Sequence, residues 1–499
     1  MGGNITKDGI TKDLEAMKAQ GVVQATIFNI GEIYTKTVDV PKVRFNSPEW
    51  IEMYQWALKE AARLDITIGI QTIDGFATTG GSWITPELSM KQYVWTKTSI
   101  DGGKALSIKL PEPIRVQNFY RDEAVLAFPM QENSNSFKDA YPEIEVNNLS
   151  TGNILLDGNP KSEIDFKKSH VVDIRFKADF TANKIVLYPH LPFCWDLALV
   201  DNGRIKLFFA LSASNDGKTY TKVADLEFTG INEAVTASFP ATRAKYFRLE
   251  LIKTSFVYFG VLPIAEFELL KENELPLFQP PVTSFMEKTS SVYDLNENAL
   301  DANSENTIKP ISENSIIDIT GYMSPDGILK WNAPKGRWQI IRFGYTSTGV
   351  MVDPASPEGL GLEVDKIDTT ALNVHINSYA KKLLDAAGKY KGNTLRFFLV
   401  DSWEAQFQTW SKNFAIEFKD RRGYNILPWI PVLCGEIVGS TELSEAFLFD
   451  FRKTIADLID QNFYRHFAAL SHRNQMEFHG GGNLWRLGCV SSYGCIKVK

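Results

Sequence analysis

The sequence predicts an α/β framework interrupted by an all-β insertion, on three observations. Two helix-then-strand units open the chain, NITKDGITKDLEAMKAQGVVQATIFNIGE and NSPEWIEMYQWALKEAARLDITIGIQTIDG. From about Thr96 to Leu270 the text changes to short alternating runs divided by turn dipeptides, among them ALSIKL, AVLAF, VVDIRF, RIKLFFALSA and YFRLELI. After residue 336 helix and strand alternate again. Parallel strands need a crossover that a helix supplies, and roughly five such strands are readable where a closed barrel has eight. The expected fold is therefore α/β: an incomplete (β/α)8 TIM-type barrel with an inserted antiparallel β-sandwich. Residues 1–96 hold the first part of the barrel, 97–270 the sandwich, 271–335 a linker with connecting strands, 336–480 the barrel's continuation and 481–499 an atypical tail.

Each element has a local reason. In the first unit Thr11 can cap a helix, Leu14, Met17 and Lys18 follow at helical spacing, Gly21 stops it, and VVQATIFNI reads as a buried strand. In the second, Ser47 is the N-cap and Pro48 the first helical residue, with Ile51, Tyr54, Ala57, Leu58 and Ala61 along one face, before the strand ITIGIQTI. In the insertion, Asn215-Asp216-Gly217 is a hairpin turn. The linker, rich in Glu, Asn, Ser and Pro, shows no period. Beyond it come WQIIRFGYTSTG, a helix over about 366–388, the strand RFFLV, and a long helix with Phe447, Leu448, Phe451, Ile455, Leu458, Ile459 and Phe463 as one apolar stripe. MEFHG comes next as a strand.

Composition narrows the function. A net charge of -7 and a pI near 5.6 argue against nucleic-acid binding. No apolar run approaches the ~18–20 residues of a membrane span, and MGGNITKDGI has no apolar signal-peptide region. Four cysteines, Cys194, Cys434, Cys489 and Cys495, are too few and too scattered for a disulfide framework or a zinc site. The aromatic content, 12%, suits stacking on sugar rings or simply a large core.

The stretch FFLVDSWEAQ, from Phe397, carries four apolar residues into Asp401, Ser402, Trp403 and Glu404. Either the strand surfaces and an acid caps the next helix, or a barrel strand delivers a catalytic acid at its C-terminal end. Asp401 reads as a calcium or sugar-hydroxyl ligand, through hard carboxylate oxygens, or as a cap; Trp403 as an apolar wall for a sugar or a rim residue. The block DGFATTGGSWITPE lacks both the P-loop Lys-Ser/Thr and the Gly-x-Gly-x-x-Gly spacing, which excludes nucleotide binding. In it Gly80 and Gly81 allow a tight turn, Thr85 and Pro86 start a helix, and Asp74 and Trp83 are substrate-pocket candidates against a packed rim. His375 reads as a structural histidine. His466 and His472, six apart on a helix, face different ways and make no metal pair.

Several blocks carry a resemblance: NITKDGITKDLEAMKAQGV, IDGFATTGGSWITPELSMKQYVW, RFGYTSTG, GLEVDKID, VDSWEAQFQTWSKNFAIEFKDRRGYNILPWIPVLCGEIVGS and SEAFLFDFRKTIADLI. Together they resemble the glycoside hydrolase family 106 α-L-rhamnosidases. The resemblance implies removal of terminal α-L-rhamnose with inversion, by a (β/α)8 barrel with sandwich domains and a calcium ion at the sugar. The substrate class it implies is a rhamnose-containing oligosaccharide or polysaccharide of plant or pectic origin. It places the general acid on Glu404 and export to the periplasm or cell exterior on the intact parent; Asp401, in its ligand reading, is the candidate for holding the calcium. The insertion's SASNDGKTYTKVADLEF and FPATRAKYFRLELI resemble a galactose-binding-like jelly roll, in which Trp195 or Tyr220 stacks on carbohydrate unless the domain is a spacer.

Inversion needs a second carboxylate about 6.5–9.5 Å from the acid. In the family it lies well beyond Glu404, so the expectation is a fragment lacking its general base and inactive, with Glu477 as the fallback. The alternatives are another barrel glycosidase, β-galactosidase-like, or a catalytically dead carbohydrate-binding fragment.

Overall fold

The computed structural model describes residues 3–31, 42–76, 79–130, 137, 140, 142–147, 155, 164–166, 171–189, 205–230, 235–254, 262–270, 310–401, 405, 408–480 and 496–497. The expectations for Trp195, Trp403, Glu404, most of the linker and nearly all of the tail fall on residues outside this set.

Helix α1 (Lys7–Ala19) begins at Thr6, whose hydroxyl accepts from the Gly9 amide; Thr11 lies inside the helix and accepts from the Trp56 indole. The cap therefore sits five residues before the expected one, because Thr6 has the extended backbone that a cap requires. Strand β1 (Gln24–Ile27) is short and only half-buried, and among the described residues it pairs with one neighbouring strand alone. Helix α2 (Pro48–Arg63) starts as expected, with the Ser47 hydroxyl accepting from the Trp50 amide, and leads to β2 (Thr67–Gln71). No helix starts at Thr85 and Pro86. A turn closed by the Leu88 amide on the Thr85 carbonyl leads into β3 (Lys91–Asp101), which is followed by β4 (Tyr120–Pro129).

Later in the chain come β5 (Arg337–Ser347), α3 (Thr369–His375), a π-helical segment Ile376–Ala380 and α4 (Lys381–Ala387). Then β6 (Leu395–Val400) precedes the long helix α5 (Thr441–Leu458), a second π-helical segment Ile459–Arg465, α6 (His466–Arg473) and β7 (Glu477–Gly480). The stripe Phe447, Leu448, Phe451, Ile455, Leu458, Ile459 and Phe463 is buried throughout.

The four strands β1, β2, β6 and β7 make one parallel sheet in that order, with Ile496–Lys497 added antiparallel on β7. Alternation along each strand sends Ile68, Ile70, Phe398 and Phe478 into one core with Leu58, Ala61, Leu372, Leu383 and Phe467 of the helices. Each large apolar side chain so buried contributes about 1.5–3 kcal/mol. On the other face Phe397 stacks on His479 with ring centres 4.1 Å apart, and Gly69 leaves room for the Phe397 ring. Among the described residues this sheet holds four parallel strands and does not close on itself.

Two of the runs expected in the insertion pair elsewhere. Strand β4 lies beside β5, which also pairs with β3, and Ala105–Lys109 pairs with Ile328–Asn332. Strand β5 is buried on both faces, and partners on both of its edges satisfy its backbone there. The seven-stranded antiparallel sheet draws its strands from Glu143–Val146 through Leu262–Leu270. Its two longest strands, Val171–Pro189 and Val235–Thr254, pair with register breaks at Ser238/Thr242 and Ala244/Tyr246, and a single core of Phe176, Phe209, Phe247 and Phe267 runs through it. The Asn215-Asp216-Gly217 turn is present, with the Asp216 carboxylate accepting from the Lys218 and Thr219 amides.

Candidate active site

Because β1, β2, β6 and β7 are parallel, their C-terminal ends share one edge. Asn29 follows β1, Gln71, Thr72 and Asp74 end or follow β2, and Asp401 follows β6. This brings Asp74 and Asp401 to the same edge. Trp403 and Glu404, two and three residues beyond the last described residue of that strand end, lie outside the described set.

Asp74 is buried, and both its oxygens are taken. One accepts from the Asn29 amide at 2.6 Å, and Asn29 in turn accepts from the Trp50 indole at 3.1 Å. The other accepts from the Ser356 backbone amide at 2.8 Å and from its hydroxyl. Gly359 packs so closely that a Cβ there would lie 2.5 Å from the carboxylate. Burial raises the Asp74 pKa above the ordinary carboxylate value, against the lowering by Ser356 and Asn29. The geometry makes Asp74 the anchor of the 353–361 segment over the strand ends.

Trp83 is half-buried and held on two sides. Its ring stacks on Tyr379 with centres 5.2 Å apart, and its indole N–H donates to His375 Nδ1 at 3.1 Å. That bond places the His375 proton on Nε2, which faces the Thr72 hydroxyl at 3.3 Å. The π-helical segment directly after His375 is an irregularity often found at functional sites. Gly81 permits this packing: a Cβ on it would lie 2.6 Å from the Trp83 ring, and its φ of +137° suits glycine. Rather than only turning the chain, Gly80 and Gly81 pair with Leu362–Glu363.

Burial, helped by the nearby Lys366 charge, pushes the His375 pKa down to about 3. Folded His375 thus stays neutral while the unfolded chain protonates near 6.5, so its stabilising contribution is complete above that value and is lost as pH falls toward 3. Replacing His375 with Gln is expected to remove about 1.4 kcal/mol per pH unit from the fall in stability between pH 6 and 4. Urea unfolding at a series of pH values would show it; an unaltered slope would rule out His375 as the source.

A second polar cluster escaped sequence reasoning. Lys91 and Asp365 form an ion pair at 2.7 Å with side-chain exposures of 2% and 0%, and Lys366 pairs with the equally buried Glu363. Asp365 also accepts from the Ser411 hydroxyl at 2.6 Å, from the Gln408 amide and from the Ile367 backbone. The signal was the charge density of GLEVDKID, since an acid-rich segment between apolar residues is buried only if paired.

Glu477 sits opposite Phe397 in the register of β7 with β6. It pairs with Arg396 at 2.9 Å and with His479 at 3.1 Å. Four residues of strand, about 13 Å, separate that level from Asp401. This is the geometry of a cross-strand ion pair. Tyr220, in the antiparallel domain, lies under the Arg248 guanidinium at 4.1 Å, and Arg248 pairs with Asp173. His466 donates from Nε2 to the Asn373 side-chain oxygen at 2.9 Å. Among the described residues no three acidic, His or Cys side chains gather as a metal site, so they do not by themselves supply a calcium site around Asp401.

A sequence profile of the glycoside hydrolase family 106 α-L-rhamnosidases matches residues 1–486. The chain belongs to this family. Among solved structures, the rhamnosidase of Novosphingobium sp. PP1Y superposes with a TM-score of 0.75 at 29% identity, over 97% of this chain and 45% of that one. A Formosa agariphila protein provisionally named a beta-glucuronidase is 28% identical over 476 residues, 95% of this chain and 28% of that protein. The chain thus spans less than half the length of these two relatives. In this α-L-rhamnosidase family member, no described helix is long and apolar enough to cross a membrane.

Proposed function

We propose that this chain is the catalytic region of an exported, inverting α-L-rhamnosidase acting on terminal rhamnose of plant or pectic glycans, with Glu404 as general acid. The observation that carries the reading is the family match across residues 1–486, joined to a parallel sheet whose C-terminal edge presents Asp74 and Asp401. The four parallel strands are then part of a (β/α)8 barrel, and the seven-stranded domain is its inserted β-sandwich.

A glycosidic oxygen leaves poorly unless protonated. Glu404 donates its proton to that oxygen as the bond to the anomeric carbon breaks; water adds from the opposite face and passes its proton to a second carboxylate. Glu477, the fallback for that base, is engaged by Arg396 and His479. Trp83 and Trp403 offer apolar walls to the sugar, Asp74 shapes the edge, and Asp401 takes a sugar hydroxyl or a calcium ion, whose charge would polarise and orient hydroxyls there.

The provisional name of the Formosa relative raises a uronic acid as the competing substrate. A sugar carboxylate calls for a cationic partner, and Asn29, Gln71, Thr72, Asp74, Trp83 and Asp401 include none. The full-length protein is therefore expected to release 4-nitrophenol from the α-L-rhamnoside and not from the β-D-glucuronide or β-D-galactoside, with β-rhamnose as the first anomer in the NMR spectrum. Release from the glucuronide alone would overturn the substrate assignment; α-rhamnose first would overturn inversion.

A further inference from the structure

We propose that the buried cluster of Lys91, Asp365, Gln408 and Ser411 is a positioning device that fixes, from its C-terminal side, the segment carrying Glu404. The inference rests on the reading of Glu404 as the acid.

The chain around Glu404 has two described anchors. One is Val400, at the end of β6 and paired with Gly480 of β7. The other is Gln408–Ser411. Gln408 Oε1 accepts from the Lys366 amide at 2.9 Å, while its Nε2 donates to Asp365 and to the Trp410 carbonyl at 3.1 Å. Each end of the Gln408 amide therefore has a partner of the right kind, which fixes its orientation. The Ser411 hydroxyl donates to the other Asp365 oxygen, the one that receives Lys91. The Thr409 amide donates to the Lys91 carbonyl at 3.0 Å, and the Tyr93 amide to the Thr409 hydroxyl at 2.9 Å. Three segments distant in sequence meet at one carboxylate.

Apolar packing alone would hold this region more cheaply, because burying a charged pair offsets much of its own attraction. What the polar cluster adds is register: hydrogen bonds of fixed direction set where Gln408 begins. Glu404 is four residues before it, so it can lie no farther than about 14 Å away. A general acid must meet the leaving oxygen at hydrogen-bond distance, and a displacement of about 1 Å costs on the order of a hundredfold. On this proposal the anchor at Gln408 serves to limit that displacement.

The test uses leaving-group chemistry. A dinitrophenolate departs with little help from an acid, whereas a sugar alcohol needs its proton. In the full-length enzyme, Gln408→Ala and, separately, Ser411→Ala are expected to lower kcat on an unactivated rhamnosyl disaccharide at least about tenfold more than on 2,4-dinitrophenyl α-L-rhamnoside, with KM changed less than about twofold. Ser411→Ala removes a single hydrogen bond and guards against a Gln408 variant that does not fold. Equal losses on both substrates, or none, with Glu404→Gln showing the leaving-group dependence, would overturn the positioning role alone. If Glu404→Gln also lacks that dependence, the acid assignment falls and the positioning role falls with it.

Discussion

Replacing Glu404 with Gln is expected to lower kcat on unactivated α-L-rhamnosides by about 10²–10⁴-fold, the range that positioned proton transfer contributes. The amide keeps the size and shape of the acid but has no proton to give, so binding should persist and KM should move little. The acidic and basic limbs of the pH profile separate the roles further. An acid must be protonated to act, so activity of the wild type falls as pH rises through its pKa, and the variant should lose that limb while keeping the limb set by the base. Steady-state kinetics on the full-length enzyme, with activated and unactivated rhamnosides side by side, would decide it. A loss of similar size on both substrates with an unchanged pH profile would point to folding or binding and remove Glu404 from the role.

The second large effect concerns stability. Asp365→Leu is expected to destabilise the fold by about 3–5 kcal/mol, because Lys91 would be left as an unpaired cation at 1% exposure. Ser411 would lose its acceptor as well, and Gln408 one of its two. Lys91→Met alone should cost a comparable amount for the converse reason. The double variant should be less damaging than Asp365→Leu alone, since it removes both charges together and leaves only hydrogen-bond donors to satisfy. Urea unfolding of the two single variants and the double variant gives the coupling directly. Additive losses would mean that the pair at 2.7 Å contributes little coupling energy of its own.

Much of the α/β framework could be read because its signals are local. Ser47 followed by Pro48 announces α2, and the periodic stripe from Phe447 to Phe463 announces the long helix. What sequence could not show is pairing. ALSIKL and AVLAF have the same alternating character whether they join a sandwich or flank β5, and only the three-dimensional partner decides between them. Thr11 and Thr6 are equally good caps by composition; backbone conformation chose Thr6. At the site, Asp74 was legible as a residue of interest because it follows a strand, whereas its partners Asn29 and Ser356 are separated from it by 45 and 282 positions. The same holds for Asp365, whose partners at 91, 408 and 411 share no motif with it.

The order of the parallel sheet has a consequence for biosynthesis. Strand β2 ends at Gln71 and its neighbour β6 begins at Leu395, so about 320 residues must be made before one edge of β2 gains its partner. At typical synthesis rates of about 5–20 residues per second, that edge waits for roughly 15–65 seconds on the ribosome. The seven-stranded domain, whose core draws on its own strands, can close in that interval. Its early folding would shorten the effective loop between β2 and β6, and so ease a pairing that is otherwise among the most distant in the chain.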